Sequence, residues 1–200
     1  YDVCITSWGS PKFTPEVLDR AHRLRFIGHA AGTVIPIVDP AVFDRDIVIV
    51  NANRALAMST AELTLALMLS ASWDLPGYSA RLKNGHWPKN SCETVMGLSG
   101  TTVGLIGYGE ISIELIRLLH PFDVKIMLCS RHCSRERAQE LGVELVQLDR
   151  LLQASDIISV HSTLTPQTAG MIGPRELELI RDGALVINTA RAALIDRDAL

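Results

Sequence analysis

The second half of the chain alternates short apolar runs with amphipathic segments. The runs TTVGLIG, DVKIMLC, DIISVHS and GALVINTA are almost continuously apolar, which is typical of strands buried on both faces of a parallel sheet. The segments between them, such as EISIELIRLL, have apolar residues at helical spacing. Because parallel strands need crossover helices, this alternation predicts a doubly wound α/β sheet from residue 101 onward.

The first half of the chain shows a similar alternation over its first 50 residues. YDVCIT, RFIGH and DIVIVN predict strands, and EVLDRAHRL predicts a helix. A second helix is predicted to begin at the N-cap sequence Ser59-Thr60-Ala61-Glu62 and to end near Trp73, before Pro76-Gly77. Glycine, proline and small polar residues dominate 83–100. We therefore expect a first domain over 1–75, a linking segment over 76–100 and a second domain over 101–200.

Composition excludes several classes of protein. Nineteen basic and 22 acidic residues give a net charge of −3, which offers no basic surplus for nucleic-acid binding. The longest apolar stretch, Leu63 to Trp73, is too short to cross a bilayer. Four cysteines without paired spacing favour a reducing, cytoplasmic setting. The chain opens directly into a strand-like run and stops in an apparent helix start, so we expect a fragment of a longer protein.

A glycine motif follows the first strand of the second domain. The sequence Gly107-Tyr108-Gly109-Glu110-Ile111-Ser112 lies between a buried strand and a helix, which is the context of a dinucleotide-binding loop. Gly107 permits a tight turn and Gly109 lets the backbone approach a pyrophosphate at the helix N-terminus. Ser112 replaces the third glycine and is small enough for close packing of helix on strand. A plain strand-to-helix turn is the alternative.

The residues at the end of the next strand indicate which dinucleotide is preferred. A unit that binds NAD usually has an acidic residue there for the ribose hydroxyls, whereas this chain has Ser130-Arg131. A hydroxyl followed by a guanidinium suits a 2′-phosphate, so NADP is favoured over NAD. The alternative is a solvated loop arginine. Nearby Cys129, His132 and Cys133 lack the spacing and the fourth ligand of a metal site, and no metal is predicted.

The last strand ends in Asn188-Thr189-Ala190-Arg191. Ligands of doubly wound sheets bind at the carboxyl ends of the strands. An arginine at that edge is suited to clamping a carboxylate and polarising the neighbouring carbonyl. The alternative is a structural ion pair, for example with Asp196.

Three motifs in this order, GLIGYGEI, HSTLTPQTAGMIG and GALVINTARAALIDRDAL, resemble those of the D-isomer-specific 2-hydroxyacid dehydrogenase family. The resemblance implies a Rossmann-type NAD(P)-binding domain and a flavodoxin-like substrate domain, both incomplete in this chain. It also implies hydride transfer between NAD(P)H and a small 2-oxo or 2-hydroxy acid by a homodimer. Alternatives are a dinucleotide-sensing corepressor of the same fold and an inactive fragment.

The resemblance assigns roles to individual residues. It implies that Arg191 is the catalytic arginine, that Thr60-Ala61-Glu62 begins the helix beneath the nicotinamide, and that Ala31, Gly32 and Trp8 form the substrate loops. Cofactor contacts are implied for Gly107, Tyr108, Gly109, Glu110, Ile111, Ser130, Arg131, Thr163, Thr165, Pro166, Thr189 and Ala190. The family usually has glycine at the position of Ala192, and its catalytic glutamate and histidine follow the arginine motif, beyond residue 200.

Overall fold

The computed structural model describes residues 1–87 and 97–200. The chain forms two compact units, Tyr1–Ala57 and Met58–Leu200. Each unit has its own sheet, and all strand pairings within these sheets are parallel. The predicted α/β architecture is therefore confirmed.

The first unit is a three-stranded sheet in the order β1-β2-β3. Its elements are β1 (Val3–Thr6), α1 (Pro15–Arg20), β2 (Phe26–His29) and β3 (Val48–Asn51). Leu18, Ile27 and Val42 are almost completely buried at the centre of its core. Its strands all end at one edge, where Trp8 and Ala31 follow.

The second unit contains a five-stranded sheet in the order β6-β5-β4-β7-β8. Its strands are β4 (Thr102–Ile106), β5 (Lys125–Cys129), β6 (Glu144–Leu145), β7 (Ile157–Val160) and β8 (Leu185–Asn188). The connecting helices are α4 (Glu110–Leu119), α5 (Arg135–Glu140), α6 (Leu148–Ala154) and α7 (Pro174–Glu178). Two apolar clusters, one centred on Leu105 and Leu128 and the other on Ile106 and Val160, form the core. This arrangement is the predicted doubly wound sheet.

The central strand β4 lies unusually close to α6. A Cβ atom at Gly104 would lie 2.3 Å from Ser155 Oγ and 2.5 Å from Leu151 Cδ2, well inside van der Waals contact. Ser155 and Leu151 are both completely buried. The absence of a side chain at Gly104 therefore sets the distance between the sheet and α6.

The long helix α2 (Asn53–Ser72) begins six residues before the predicted start at Ser59. The prediction of its start was wrong because the capping side chain is Asn51, whose Oδ1 accepts a hydrogen bond from the backbone N–H of Asn53 at 3.1 Å. The helix ends as predicted. Asp74 then adopts a left-handed conformation and caps the next helix, α3 (Leu75–Lys83), by accepting a hydrogen bond from the N–H of Gly77.

From Met58 onward, α2 packs in the second unit. Ala61, Thr64 and Met68 are completely buried, and the two apolar residues among them belong to the core cluster of that unit. The compact units thus divide inside α2, whereas we predicted a boundary near residue 75 from composition. That domain boundary stays a prediction.

By length and composition alone, α2 is apolar enough to cross a membrane. It has 20 residues and an 18-residue window of mean hydropathy 1.4, of which 28% is buried. This helix is longer than the apolar stretch from Leu63 to Trp73 on which we based the sequence argument. The finding is weak evidence for a span, because helices of globular cores meet the same criteria.

Candidate functional site

The candidate site of the second unit lies where the strand order reverses. β4 and β7 are neighbours in the sheet, yet the chain passes from β4 to β5 on one side and reaches β7 only after crossing over. The backbone N–H of His161 donates to the carbonyl of Ile106 at 2.8 Å, so the loops after these two strands begin side by side. Such a reversal opens a crevice at the carboxyl edge of the sheet.

The turn after β4 needs glycine at its first position. Gly107 has φ +105°, and a Cβ there would lie 2.7 Å from backbone atoms of His161 and Ser162. Gly109, in contrast, has an extended backbone with φ −165°, and a Cβ there would meet nothing within 4 Å. Within 1–87 and 97–200, no side-chain hydrogen bond caps the N-terminus of α4. The first turn of α4 therefore faces open space beside Gly109, as an anion-binding helix end requires.

Two side-chain contacts hold the glycine loop in shape. Ser112 Oγ donates to the carbonyl of Gly107 at 2.9 Å and is fully buried. The Tyr108 hydroxyl accepts a hydrogen bond from Arg137 Nε at 3.1 Å. Of the next predicted residues, Glu110 is exposed and Ile111 packs against the core. Ile111 is half-buried, so its backbone N–H and part of its side chain lie near the start of α4.

The turn after β5 leaves one cation available. Ser130 Oγ accepts a hydrogen bond from the N–H of His132 at 3.1 Å, so the hydroxyl shapes its own turn and retains its proton for donation. Arg131 is exposed, and within 1–87 and 97–200 its guanidinium has neither a hydrogen bond nor an ion pair. Both residues lie on the same short loop at the carboxyl edge of β5.

The loop after β7 is organised by Thr168, a residue that the sequence analysis missed. Its hydroxyl donates to the carbonyl of Thr163 at 2.7 Å and accepts from the N–H of Thr165 at 2.8 Å. Thr163 and Pro166 are exposed and Thr165 is half-buried. In the sequence, the only indication that Thr168 shapes this loop is its position within HSTLTPQTAG, two residues after Pro166.

The segment after β8 is clamped by Asn188. Asn188 Oδ1 accepts from the N–H of Ala190 at 3.0 Å, and Asn188 Nδ2 donates to the carbonyl of Arg191 at 2.9 Å. The clamp holds Thr189 and Ala190, the two predicted cofactor residues, between β8 and the arginine. It therefore fixes the short segment that precedes Arg191.

Arg191 itself is exposed and Nη1 donates to the carbonyl of Ala190. The alternative of an ion pair with Asp196 is wrong, because no ion pair of Arg191 occurs in the described part of the chain. Arg191 also lines a cavity of about 680 Å³ together with Arg197 and Ile195. Its charge is therefore available to a ligand.

The predicted substrate loops lie in the first unit and follow neighbouring strands. Trp8 is 67% exposed, and its ring meets His29 edge-on with centroids 6.1 Å apart. Ala31 is completely buried and its carbonyl accepts from the N–H of Ala52 at 3.0 Å. Gly32 is half-buried, and a Cβ there would lie 3.1 Å from Asn53 Oδ1. Any ligand of Ala31 and Gly32 must therefore use their backbone groups.

Two histidines, one in each unit, lie at strand ends and were not predicted as site residues. The imidazole of His29 is buried and bonds through Nδ1 to the Thr6 hydroxyl at 2.9 Å. His161 Nε2 lies 2.9 Å from Ser159 Oγ, and its Nδ1 is buried without a hydrogen-bond partner in the described residues. Burial lowers the pKa of His161 to about 4. His161 is thus a neutral, packed residue beneath the crevice.

These features together fit a dinucleotide. The uncapped helix end beside Gly109 suits a pyrophosphate, and Ser130 with Arg131 suits a ribose or its 2′-phosphate. Among the described residues, no three His, Cys, Asp or Glu side chains come together as metal ligands would. The assignment of these residues to phosphate, ribose and carboxylate binding stays a prediction.

Comparison with known proteins agrees with this geometry. The sequence model described as D-isomer specific 2-hydroxyacid dehydrogenase, NAD binding domain, matches residues 65–200. The D-3-phosphoglycerate dehydrogenase of Methanocaldococcus jannaschii is 36% identical over 200 residues, which are 100% of this chain and 38% of that protein. The glyoxylate reductase of Thermococcus litoralis is 34% identical over 195 residues, or 94% of this chain and 59% of that protein.

Solved structures show the same fold. The structure of D-lactate dehydrogenase from Aquifex aeolicus, complexed with NAD and lactic acid, superposes with a TM-score of 0.81 at 27% identity. The superposed region is 99% of this chain and 59% of the Aquifex aeolicus chain. The chain therefore spans less than two thirds of the length of each of these relatives.

Burial of His161 predicts a specific loss of stability in acid. The pKa of His161 is lowered in the folded state to about 4, so between that value and an unfolded pKa of about 6.5 only the unfolded chain takes up the proton. The free energy of unfolding should fall by about 2 kcal/mol from this histidine between about pH 7.5 and pH 5. Urea unfolding followed by circular dichroism at the two pH values measures the loss.

The control separates His161 from the other acid-sensitive groups. His161→Gln should show a smaller decrease with falling pH than the unmodified protein, whereas His132→Gln, at an exposed site, should show the same decrease. Equal pH dependence in His161→Gln and the unmodified protein would contradict the prediction.

Proposed function

This chain belongs to the D-isomer specific 2-hydroxyacid dehydrogenase family, and from this premise we propose that the whole protein transfers a hydride between a nicotinamide dinucleotide and a small 2-oxo or 2-hydroxy acid. One observation carries the proposal. The glycine turn after β4 and Arg191 after β8, which forms no ion pair with the residues that the structure describes, lie at the same carboxyl edge of one parallel sheet. A phosphate-binding turn and a carboxylate-binding cation at one edge are what this reaction requires.

The cofactor would be held by the loops of the second unit. The backbone after Gly109 would receive the pyrophosphate, Ser130 and Arg131 the adenosine ribose, and the loop organised by Thr168 the adenine side. When bound, the dinucleotide supplies or accepts the hydride. Hydrogen bonds of Ser112, Asn188 and Thr168 support the loops that line the crevice.

Arg191 would bind the substrate carboxylate and polarise the adjacent carbonyl. Its guanidinium can donate two parallel hydrogen bonds to a carboxylate. Among the described residues, no Asp or Glu side chain pairs with it and competes with the substrate. Ala31, Gly32 and Trp8 lie in the first unit, and their assignment to the substrate loops stays a prediction. His161 is unsuited to the proton transfer, because it is packed and its pKa is lowered to about 4. We assign that step to the histidine and glutamate expected beyond residue 200.

The relatives compared above are named dehydrogenases and reductases, which favours an enzyme over the corepressor-like alternative. Turnover of glyoxylate or hydroxypyruvate by the full-length protein tests this choice. Absence of turnover with both cofactors, in a protein that still binds dinucleotide, would favour the alternative. The proposed setting is the cytoplasm, where the reduced cysteines of this chain would persist.

We further propose that the whole protein is a homodimer. Leu63 and Leu67 on α2 are 55% and 42% exposed, whereas Ala61, Thr64 and Met68 on the same helix are buried. Apolar side chains on an uncovered side of a core helix are typical of a protein interface. A second copy of the chain is the proposed occupant of that side.

Arg191→Lys in the full-length protein should lower kcat/KM for the 2-oxo acid by roughly tenfold to a hundredfold. Lysine keeps the charge but loses the planar pair of donors, and charge-assisted hydrogen bonds contribute about 1.5–3 kcal/mol. The dissociation constant of the dinucleotide should change by less than about threefold. Steady-state kinetics and fluorescence titration measure the two effects.

Arg150→Lys is the matched control, because Arg150 pairs with Glu144 on the surface of the same unit. It should leave both constants unchanged. An unaltered kcat/KM in Arg191→Lys would show that the arginine is structural.

NADPH should bind at least as tightly as NADH. Ser130 removes the repulsion that a carboxylate would exert on the 2′-phosphate, and Arg131 adds a charge-assisted contact that corresponds to about tenfold to a hundredfold in affinity. Ser130→Asp should reverse the preference, and Arg131→Ala should weaken NADPH binding alone. Dissociation constants of both cofactors, measured at one salt concentration, give the result.

Arg135→Ala controls for general loss of positive charge, because Arg135 begins α5 only four residues after Arg131. It should affect both cofactors alike. Tighter binding of NADH than of NADPH by the unmodified protein would overturn the proposed preference.

The full-length protein should sediment as a dimer at micromolar concentration. Leu63→Glu with Leu67→Glu should shift it to the monomer, since two carboxylates would be buried at the interface. Ile35→Glu, at a residue 70% exposed in the first unit, is the control and should leave the dimer intact. Sedimentation of the unmodified protein as a monomer would contradict the proposal.

A further inference from the structure

A pair of threonine hydroxyls links α2 to the end of β8. Thr64, completely buried on α2, has its Oγ1 atom 3.0 Å from Thr189 Oγ1. Thr64 Oγ1 also donates to the carbonyl of Thr60 at 2.8 Å. Because a hydroxyl has one hydrogen, and that of Thr64 is used on the carbonyl, Thr189 is the donor between the two threonines. The Thr189 hydroxyl is therefore fixed in direction and retains only acceptor capacity.

This link acts on the segment that ends in Arg191. Thr189 is the first residue after β8, and the Asn188 side chain bonds the two residues beyond it. The clamp of Asn188 is local, since both of its partners lie within three residues. The bond to Thr64 crosses 125 positions of sequence and is made by a helix whose buried side belongs to the core of the unit. It thus ties the clamped segment to a rigid element.

We propose that Thr64 is a positioning residue that sets the direction in which the chain leaves β8 and so orients Arg191. The inference rests on the proposed function, because it concerns the arginine of that site. An ordinary helical threonine needs only its carbonyl four residues earlier as a partner, and Thr64 has that partner in Thr60. The additional bond from Thr189 is therefore unnecessary for satisfying Thr64 and serves the strand end instead.

The test compares three variants of the full-length protein. Thr64→Val keeps the shape of the side chain and removes the oxygen, and Thr64→Ser keeps the oxygen. Thr101→Val is the matched control, because Thr101 is also buried in the second unit and its hydroxyl donates to the carbonyl of Leu98 at 2.6 Å. Thr101 precedes β4, at the opposite edge of the sheet from Arg191.

Thr64→Val should speed hydrogen exchange of the amides in 189–194 by about threefold to tenfold, the effect of losing one hydrogen bond of about 1 kcal/mol. It should raise KM for the 2-oxo acid by a similar factor, with kcat and the dissociation constant of the dinucleotide less affected. Thr64→Ser should keep the exchange rates and the KM of the unmodified protein. Thr101→Val should likewise leave exchange in 189–194 and KM unchanged.

Equal exchange and equal KM in Thr64→Val and Thr101→Val would overturn the inference. Faster exchange with an unchanged KM would also overturn it, since Thr64 would then order the strand end without orienting the arginine. Failure of the proposed function is distinguishable, because the unmodified protein would then turn over no 2-oxo acid. Exchange in 189–194 would still decide whether Thr64 holds that segment.

Discussion

The close approach of two backbones at the reversal of strand order is the constraint on which the candidate site depends. Gly107 lies so near the chain at His161 and Ser162 that no side chain fits between them. This contact aligns the loops after β4 and β7, and Ser112 then fixes the glycine turn from the helix side. Only with that turn in place does the first turn of α4 face open space. The binding edge is thus a consequence of tight backbone packing.

The strands and helices of the second unit were predictable from sequence because both faces of its sheet are buried. Fully apolar runs such as DIISVHS leave little choice of secondary structure, and the glycine motif located the turn. The start of α2 was not predictable from Ser59, since Ser-Thr-Ala-Glu also fits a helix interior. Asn51, which bonds the N–H of Asn53, is a residue type that favours helix starts, but its place at the end of an apolar run was interpreted only as the end of a strand.

The side-chain contacts that shape the site were beyond the reach of sequence patterns. Tyr108 bonds Arg137, and Thr64 bonds Thr189, and each pair is brought together only by folding. Periodicity reports which face of an element is buried, but it carries no information on which distant polar groups meet. Candidate site residues at the strand ends could be predicted, because residue type and strand order together indicate them. The hydrogen bonds that hold those residues in place are evident only in the folded structure.

The contact between Gly104 and α6 also has an evolutionary consequence. Leu151 and Ser155 occupy the space that a side chain at position 104 would need, so a larger residue there is tolerable only when both neighbours leave room for it. Either single change passes through a less stable intermediate, because enlarging position 104 first overpacks the contact and shrinking Leu151 first leaves a cavity. The identities of residues 104, 151 and 155 should therefore covary among descendants of this chain.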